Sequence, residues 1–274
     1  MSVYTSHLRT IDQAITIGTT LPVSWFRGHP EMYGNLTPSV FRIPPMPRGG
    51  YREFWATERF RLRAGSVGAT TPRWDDHLLW LLLMQHFGVR TRLLDWTESI
   101  LAALYFAVER SPDCSGEIWC IRPDALNNKS VMFLSSLDRL EIHYLAAEAF
   151  SNEDDTAKLK KFARDLGIST PPKNPIAFLP PMEFPRMSAQ SSRFTIHPHP
   201  KEGNAIERLL RGPQEIIRYE VPADRKHSLS RDLTELGVTA ETLFQSLEAL
   251  AKTIEAEVYD ADRGEGYPTP PLFD

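Results

Sequence analysis

A cluster of polar residues between two apolar segments has side chains that can do chemistry. Its members carry hydroxyl, guanidinium and carboxylate groups: Thr91, Arg92, Asp95, Thr97, Glu98 and Ser99. The apolar run Leu78–Phe87 precedes the cluster, and Gly88 favours the end of a helix there. Loops positioned by a rigid scaffold often carry binding residues. The same groups can also form a buried structural network, in which Arg92 pairs with Asp95. The residues alone leave both interpretations open.

Several different short motifs lie within the first 200 residues, and their order along the chain forms a pattern. They are Trp25–His29, Tyr33 with Leu36–Arg42, Gln85–Gly88, Thr91–Thr97, Ala103–Ala107, and Arg186–Gln190 followed by Phe194–Thr195. This set resembles the FRG domain family, which is named after a Phe-Arg-Gly signature, here Phe26-Arg27-Gly28. Ser192 departs from the family pattern, which has a glycine before the following strand.

The resemblance implies a divergent relationship to the ADP-ribosyltransferase superfamily. Those enzymes carry an arginine at the end of a first strand, then a strand with a serine or threonine, and later a polar residue that is usually glutamate. The matching positions are Arg27, Asp95-Trp96-Thr97 and Gln190. The resemblance therefore predicts catalytic residues Arg27, Asp95, Thr97 and Gln190, and NAD-binding residues Arg27, Gly28, Thr91, Arg92 and Trp96. These residues are expected to converge on one concave site.

The chemistry of ADP-ribose transfer explains why such residues are needed. Cleavage of the nicotinamide–ribose bond develops positive charge on the sugar, as in glycoside hydrolysis. An arginine fork can hold a ribose or a diphosphate, and a nearby carboxylate can stabilise the developing charge. Because Gln190 is neutral, Asp95, Glu98 or Glu183 must supply the carboxylate, and Asp95 is the preferred candidate.

Two classes of function stand as hypotheses. The first, which the resemblance implies, is an NAD-dependent ADP-ribosyltransferase, a toxin or phage-defence effector that modifies a nucleic acid, with RNA favoured, or a protein. The second is a non-catalytic module whose pocket recognises a nucleotide-like or anionic ligand. A metal-dependent nuclease is a distant third, because no tight carboxylate pair is visible apart from the expected helix cap Asp75-Asp76. Fold analogy does not choose between these classes.

Composition narrows the class of protein. The chain has 274 residues, of which 42% are hydrophobic, and this predicts a globular protein. No apolar run approaches the roughly 18 residues of a membrane span, and the first ten residues lack the layout of a secretory signal. Cys114 and Cys120 form neither a disulfide framework nor a metal pattern. These features predict a cytoplasmic protein without a metal cofactor or a membrane partner.

Arginine is concentrated in one part of the chain. Between Arg42 and Arg73 there are seven arginines and two acidic residues, whereas residues 253–274 hold six acidic residues and one arginine. The first segment predicts phosphate contacts with RNA or single-stranded DNA, and we assign them to Arg52, Arg59, Arg61 and Arg63. A solvated helix face is the alternative. The acidic tail can shield this surface or contact a neutralising antitoxin or chaperone.

The element pattern predicts an α+β fold with one or more small mixed sheets, surrounding helices and a helical C-terminal segment, and the family resemblance implies an ADP-ribosyltransferase-like core. Residues 1–222 are expected to form the FRG-type domain, with a helical insertion near 135–170, and residues 223–274 are expected to pack on it. Strands are predicted at 23–26, 117–122, 193–197 and 215–220. Helices are predicted at 52–64, 78–87, 137–149, 156–166, 225–236 and 240–257, together with one that begins at about Ile100.

Overall fold

The computed structural model describes most of the chain. The described residues are 3–43, 52–67, 71–130, 164, 174–180, 189–198, 205–246 and 249–250. They form an α+β fold with seven strands and eight α-helices. The strands are β1 (Thr5–His7), β2 (Trp25–His29), β3 (Leu93–Thr97), β4 (Gly116–Ile121), β5 (Ile176–Phe178), β6 (Ser192–Ile196) and β7 (Ile216–Val221). The helices are α1 (Ile11–Thr20), α2 (Arg52–Ala64), α3 (His77–His86), α4 (Ile100–Val108), α5 (Pro123–Ser130), α6 (Ile206–Leu209), α7 (Ala223–Glu235) and α8 (Ala240–Phe244).

The strands form one mixed sheet in the order β1-β7-β4-β2-β3-β6-β5. β1 runs parallel to β7, and every other neighbouring pair is antiparallel. Side chains along a strand alternate between the two faces of the sheet. Apolar residues on both faces pack against helices. Helices α1, α4 and α7 pack on one face, which contains Phe26 and Ile118, and α5 and α6 pack on the other, which contains Trp25 and Trp119.

Local signals at the helix starts match the observed bounds. Asp76 accepts a hydrogen bond from the Leu79 N–H at 3.0 Å, and Ser99 accepts one from the Ala102 N–H at 3.2 Å. Such caps satisfy N–H groups that have no partner within the helix. The predicted helix 52–64 is confirmed at its observed limits. The strands predicted at 117–122, 193–197 and 215–220 are each found within one residue of the expected limits.

The first strand and the last helix differ from the sequence prediction, and the predicted helical insertion lies almost entirely outside the described residues. The first predicted strand was placed at residues 23–26, but β2 runs from Trp25 to His29, so Arg27 and Gly28 lie inside it. The helix predicted at 240–257 is interrupted after Phe244, because Gln245 adopts the left-handed conformation with a φ of 48°. Ala249 and Leu250 are helical again, and residues 251–257 lie outside the described residues. The helical insertion near 135–170 lies outside the described residues apart from residue 164, and so does the acidic tail. None of the described helices is long and apolar enough to cross a membrane.

Candidate functional site

The sheet contains a seam at which two neighbouring strands barely pair. β2 and β3 are in register only at Phe26 and Thr97, whereas β2 pairs with β4 along five residues and β3 pairs with β6 along five. A cavity of about 220 Å³ lies along this seam. It is lined by Phe26, Arg27, Gly28, Leu82, Gln85, His86, Asp95, Trp96, Thr97, Phe106, Gln190, Ser192 and Phe194. All four predicted catalytic residues are therefore brought together at one site.

Gly28 allows α4 to lie directly against β2 beside the cavity. A Cβ atom at this position would lie 1.8 Å from the carbonyl oxygen of Ala103 in α4. Gly116 in the adjacent strand has a similar role, since its Cβ would lie 2.4 Å from the carbonyl oxygen of Ala107. The glycine of the Phe-Arg-Gly signature thus has a packing function in addition to its place in the cavity wall.

Arg27 connects the two strands that form the seam. Its Nη1 donates a hydrogen bond of 2.6 Å to the backbone carbonyl of Asp95 and lies 3.5 Å from the Asp95 carboxylate. Burial lowers the pKa of Arg27, while the charge of Asp95 acts to raise it. The guanidinium is therefore a cation removed from water, with one nearby carboxylate that is half exposed to solvent.

A buried chain of hydrogen bonds fixes the orientation of Arg27. Its Nε donates to His29 Nε2 at 2.9 Å, so the other ring nitrogen, Nδ1, carries the proton and donates to Glu117 at 3.0 Å. Burial lowers the pKa of His29 to about 4. Burial of Glu117 would raise its pKa, but the hydrogen bond from His29 and the other polar contacts outweigh that effect and lower it. A neutral histidine and a buried carboxylate therefore hold the arginine in place.

Thr97 and Gln190 form the opposite side of the site. The Thr97 hydroxyl donates to the backbone carbonyl of Gln190 at 2.7 Å and accepts a bond from the Ser99 N–H at 3.0 Å. The Gln190 side-chain nitrogen is buried and has no hydrogen-bond partner within the described part of the chain. Because buried polar groups are nearly always paired, this amide, in a residue that lines the cavity, is a candidate hydrogen-bond donor for a ligand.

The candidate carboxylates differ in their surroundings. Asp95 lines the cavity and is 52% exposed. Glu98 does not line it, and both of its oxygens accept hydrogen bonds from Arg193, at 2.9 and 2.7 Å. Glu183 lies outside the described residues. Asp95 is therefore the carboxylate that the described structure makes available to a ligand.

Trp96 has a mainly structural environment even though it borders the cavity. Its side chain is 2% exposed and belongs to the apolar core on the face of the sheet that contains Trp25 and Trp119. The indole N–H donates to the Thr195 hydroxyl at 3.1 Å, and that hydroxyl contacts His197 at 3.0 Å. Burial lowers the pKa of His197 to about 3. The indole is thus a core anchor with its polar atom satisfied.

Two predicted cofactor-binding residues do not reach the cavity. Arg92 is buried and forms an ion pair with Glu53 of α2, which also accepts a hydrogen bond of 2.6 Å from the Arg92 backbone N–H. Thr91 is fully buried, and its hydroxyl bonds to Gln85 and accepts from the Leu93 N–H. Arg92 therefore pairs with Glu53 and not with Asp95, and this part of the cluster forms a structural network.

The arginines of α2 also divide into two kinds. Arg61 was predicted to contact nucleic acid, but it is 6% exposed, pairs with Glu58 and stacks over Trp74 with its guanidinium carbon 4.0 Å from the ring centroid. Arg52, Arg59 and Arg63 are exposed. The last two border a separate apolar groove beyond α3, so among the described residues these arginines do not rim the seam cavity.

Several residues that shape the site were not assigned a role from the sequence. Leu82, Gln85 and His86 of α3 close one side, and Phe106 and Phe194 add apolar walls. Gln85 and His86 belong to the Gln85–Gly88 motif, one of those that carry the family resemblance. That motif could have marked both residues as part of the site. The hydrogen bond between His29 and Glu117 joins residues that are 88 positions apart in the chain. No local sequence pattern predicts that these two residues are in contact.

Comparison with known proteins supports the resemblance seen in the sequence. Residues 23–115, about a third of the chain, match the family model of the FRG domain. The matched segment extends from just before β2 to just before β4 and contains Arg27, Gly28, Asp95, Trp96 and Thr97. Searches against curated proteins and against solved structures gave no match.

Proposed function

We propose that this protein is an NAD-dependent ADP-ribosyltransferase that binds the nicotinamide-ribose part of NAD in the seam cavity. The observation that carries the proposal is the convergence of Arg27 from β2, Asp95 from β3 and Gln190 from the turn before β6 on one cavity. The cavity volume of about 220 Å³ is below the roughly 300–1,000 Å³ of pockets that enclose a drug-sized ligand. The adenosine half of NAD would therefore extend beyond the cavity.

Each group has a defined task in this proposal. Arg27 uses its remaining N–H donors to hold the diphosphate or the adjacent ribose, since a guanidinium presents several donors in a fixed plane. The Gln190 amide, which is buried without a partner among the described residues, donates to a ribose hydroxyl. Phe26, Phe106 and Phe194 supply apolar wall for the nicotinamide ring. Thr97 acts indirectly by holding the backbone of Gln190.

Asp95 stabilises the transition state in this scheme. The bond between nicotinamide nitrogen and ribose C1′ breaks, and its electron pair leaves with neutral nicotinamide. A lone pair of the acceptor forms the new bond to C1′, and the acceptor's proton passes to solvent. The carboxylate near Arg27 faces the positive charge that develops on the sugar, which is favoured by a fixed negative group. The reaction needs no metal ion.

The acceptor is proposed to be RNA, and the biological role is that of a toxin or phage-defence effector in the cytoplasm under the control of a neutralising protein. Arg59 and Arg63 support a nucleic acid acceptor, because they are exposed and lie one helical turn apart on α2. Phe54 and Trp55 of the same helix are also exposed and can stack on bases. A protein acceptor is the alternative outcome when labelled NAD is offered with separate RNA, DNA and protein pools.

The decisive experiment measures nicotinamide release from NAD by the wild type and by paired variants. Arg27→Ala and Asp95→Asn should abolish release, whereas Glu98→Gln should retain it, because Glu98 does not line the cavity. Thermal unfolding of each variant serves as the folding control. Full activity of Asp95→Asn would contradict the assigned role of the carboxylate.

A non-catalytic binding module is the second candidate, and one observation favours it. The position at which the related transferases usually carry a glutamate is Gln190, an amide that cannot supply negative charge, and Asp95 is half exposed. In this case NAD or ADP-ribose would bind with the same dependence on Arg27, but nicotinamide would not be released in any acceptor pool.

A further inference from the structure

We propose that a second cavity, separate from the seam, binds a phosphorylated sugar. It has a volume of about 1,480 Å³ and lies where β1, β7 and β4 meet α6. Among the described residues its lining includes Thr5, Trp119, Glu207, Arg208, Arg211 and Arg218. None of these residues lines the seam cavity.

Two buried polar atoms of residues that line this cavity have no hydrogen-bond partner among the described residues. They are Arg218 Nε and Glu207 Oε2. Trp119 is 1% exposed, and its side chain shares a hydrogen bond with Glu117 that helps to lower the pKa of that carboxylate. Buried polar groups without a partner are rare in folded proteins. One such donor and one such acceptor on residues of the same cavity favour a ligand with both acceptor and donor groups.

The charge of the lining residues favours an anion. Arg208, Arg211 and Arg218 contribute three positive charges against the single negative charge of Glu207. Arginine suits phosphate because its planar fork can donate two parallel hydrogen bonds. Arg208 and Arg211 are exposed at the edge of the cavity, whereas Arg218 lies further in. A phosphate can therefore contact Arg218 and still remain within reach of the outer arginines.

Arg218 is held in place by contacts that leave its Nε unused. Its Nη2 donates to the Thr5 hydroxyl at 3.2 Å, and its guanidinium carbon lies 5.6 Å from the centroid of the Trp119 ring. Its Nη1 is 3.9 Å from the Glu117 carboxylate. Because these contacts fix the plane of the guanidinium, little side-chain entropy is lost when a phosphate binds.

Glu207 favours a ligand that carries hydroxyl groups in addition to a phosphate. A carboxylate beside the arginines weakens the binding of a bare phosphate, but it can accept a hydrogen bond from a sugar hydroxyl. A ligand with a phosphate at one end and hydroxyls nearby satisfies the arginines and Glu207 together. A sugar phosphate meets these requirements, whereas inorganic phosphate satisfies only the arginines.

Isothermal titration with ribose 5-phosphate, inorganic phosphate and ribose, at matched ionic strength, tests the proposal. Ribose 5-phosphate should bind saturably and more tightly than inorganic phosphate, and ribose should show no binding. Arg218→Gln should weaken ribose 5-phosphate binding about ten- to a hundredfold, the loss expected for a charge-assisted contact. Glu207→Ala should remove the preference for ribose 5-phosphate over inorganic phosphate.

Two control variants separate this site from the seam cavity and from general charge. Arg231→Gln removes an exposed arginine of α7, on the opposite face of the sheet, and should leave the affinity unchanged. Gln190→Ala, in the seam cavity, should also leave it unchanged, even if it weakens NAD binding. The proposal is overturned if ribose 5-phosphate does not bind, if Arg231→Gln weakens binding as much as Arg218→Gln, or if Gln190→Ala abolishes it. Should Arg218→Gln fail to fold, the pair Arg208→Gln and Arg211→Gln carries the same test.

Discussion

Two buried histidines should make this protein sensitive to mild acid. The pKa of His29 is lowered to about 4 and that of His197 to about 3, in each case mainly by burial. Arg27 also lowers both pKa values through its charge, whereas the hydrogen bond from His29 to Glu117 opposes the shift at His29. In the unfolded chain both imidazoles return to a pKa near 6.5. Between these values the unfolded state binds more protons than the folded state.

The sign and the size of the effect follow from this difference. Stability rises with pH wherever the unfolded state holds more protons, so it should fall as pH drops below about 6.5. Moving from pH 7 to about pH 5 should cost roughly 2 kcal/mol for each histidine, or about 4 kcal/mol together. This is a large part of the 5–15 kcal/mol that stabilises a typical domain. Glu117 adds a further loss only below its ordinary value of 4.5, because its folded pKa is lowered.

Urea unfolding at the two pH values measures this difference, with His29→Gln as the test variant. Glutamine keeps an acceptor for Arg27 and a donor for Glu117 but does not titrate, so the variant should lose about half of the pH dependence. His227→Gln replaces an exposed histidine on α7 and serves as the control, which should show the pH dependence of the wild type. Equal unfolding free energies at both pH values, or an unchanged pH dependence in His29→Gln, would show that burial does not lower the pKa of His29.

Three further predictions concern packing, the buried ion pair and the acceptor. Gly28→Ala should destabilise the fold by about 3 kcal/mol or more, because the new methyl group overlaps the α4 backbone; thermal unfolding measures this loss, and a neutral result would contradict the packing role. Glu53→Ala should cost about 3–5 kcal/mol by leaving Arg92 buried and without this partner, and the double variant Glu53→Ala/Arg92→Met should recover part of the loss in urea unfolding. Arg59→Glu with Arg63→Glu should weaken RNA binding and flatten its salt dependence; an unchanged slope would show that α2 does not contact RNA.

Much of the local structure could be predicted from the sequence because its signals are local. The limits of α2 follow from its run of helix-forming residues, and those of α3 and α4 follow from polar caps and apolar periodicity. The Phe-Arg-Gly, Asp-Trp-Thr and Gln190 positions were selected as site residues by their motifs, and all three reach one cavity. The short strand β1 and helix α1 were missed. β1 is recognisable only by its parallel pairing with β7, more than 200 residues later.

Which of these polar residues line the cavity and which are buried in ion pairs depends on the tertiary structure. Arg92 and Asp95 are three positions apart in the same motif, yet Arg92 pairs with Glu53 in the interior while Asp95 faces the cavity. Arg61 likewise lies between exposed arginines but points inward onto Trp74. Composition and spacing determine which groups are present and which elements carry them. The direction that each group faces depends on contacts between distant segments, such as the single registered pair of β2 and β3 that leaves the seam open.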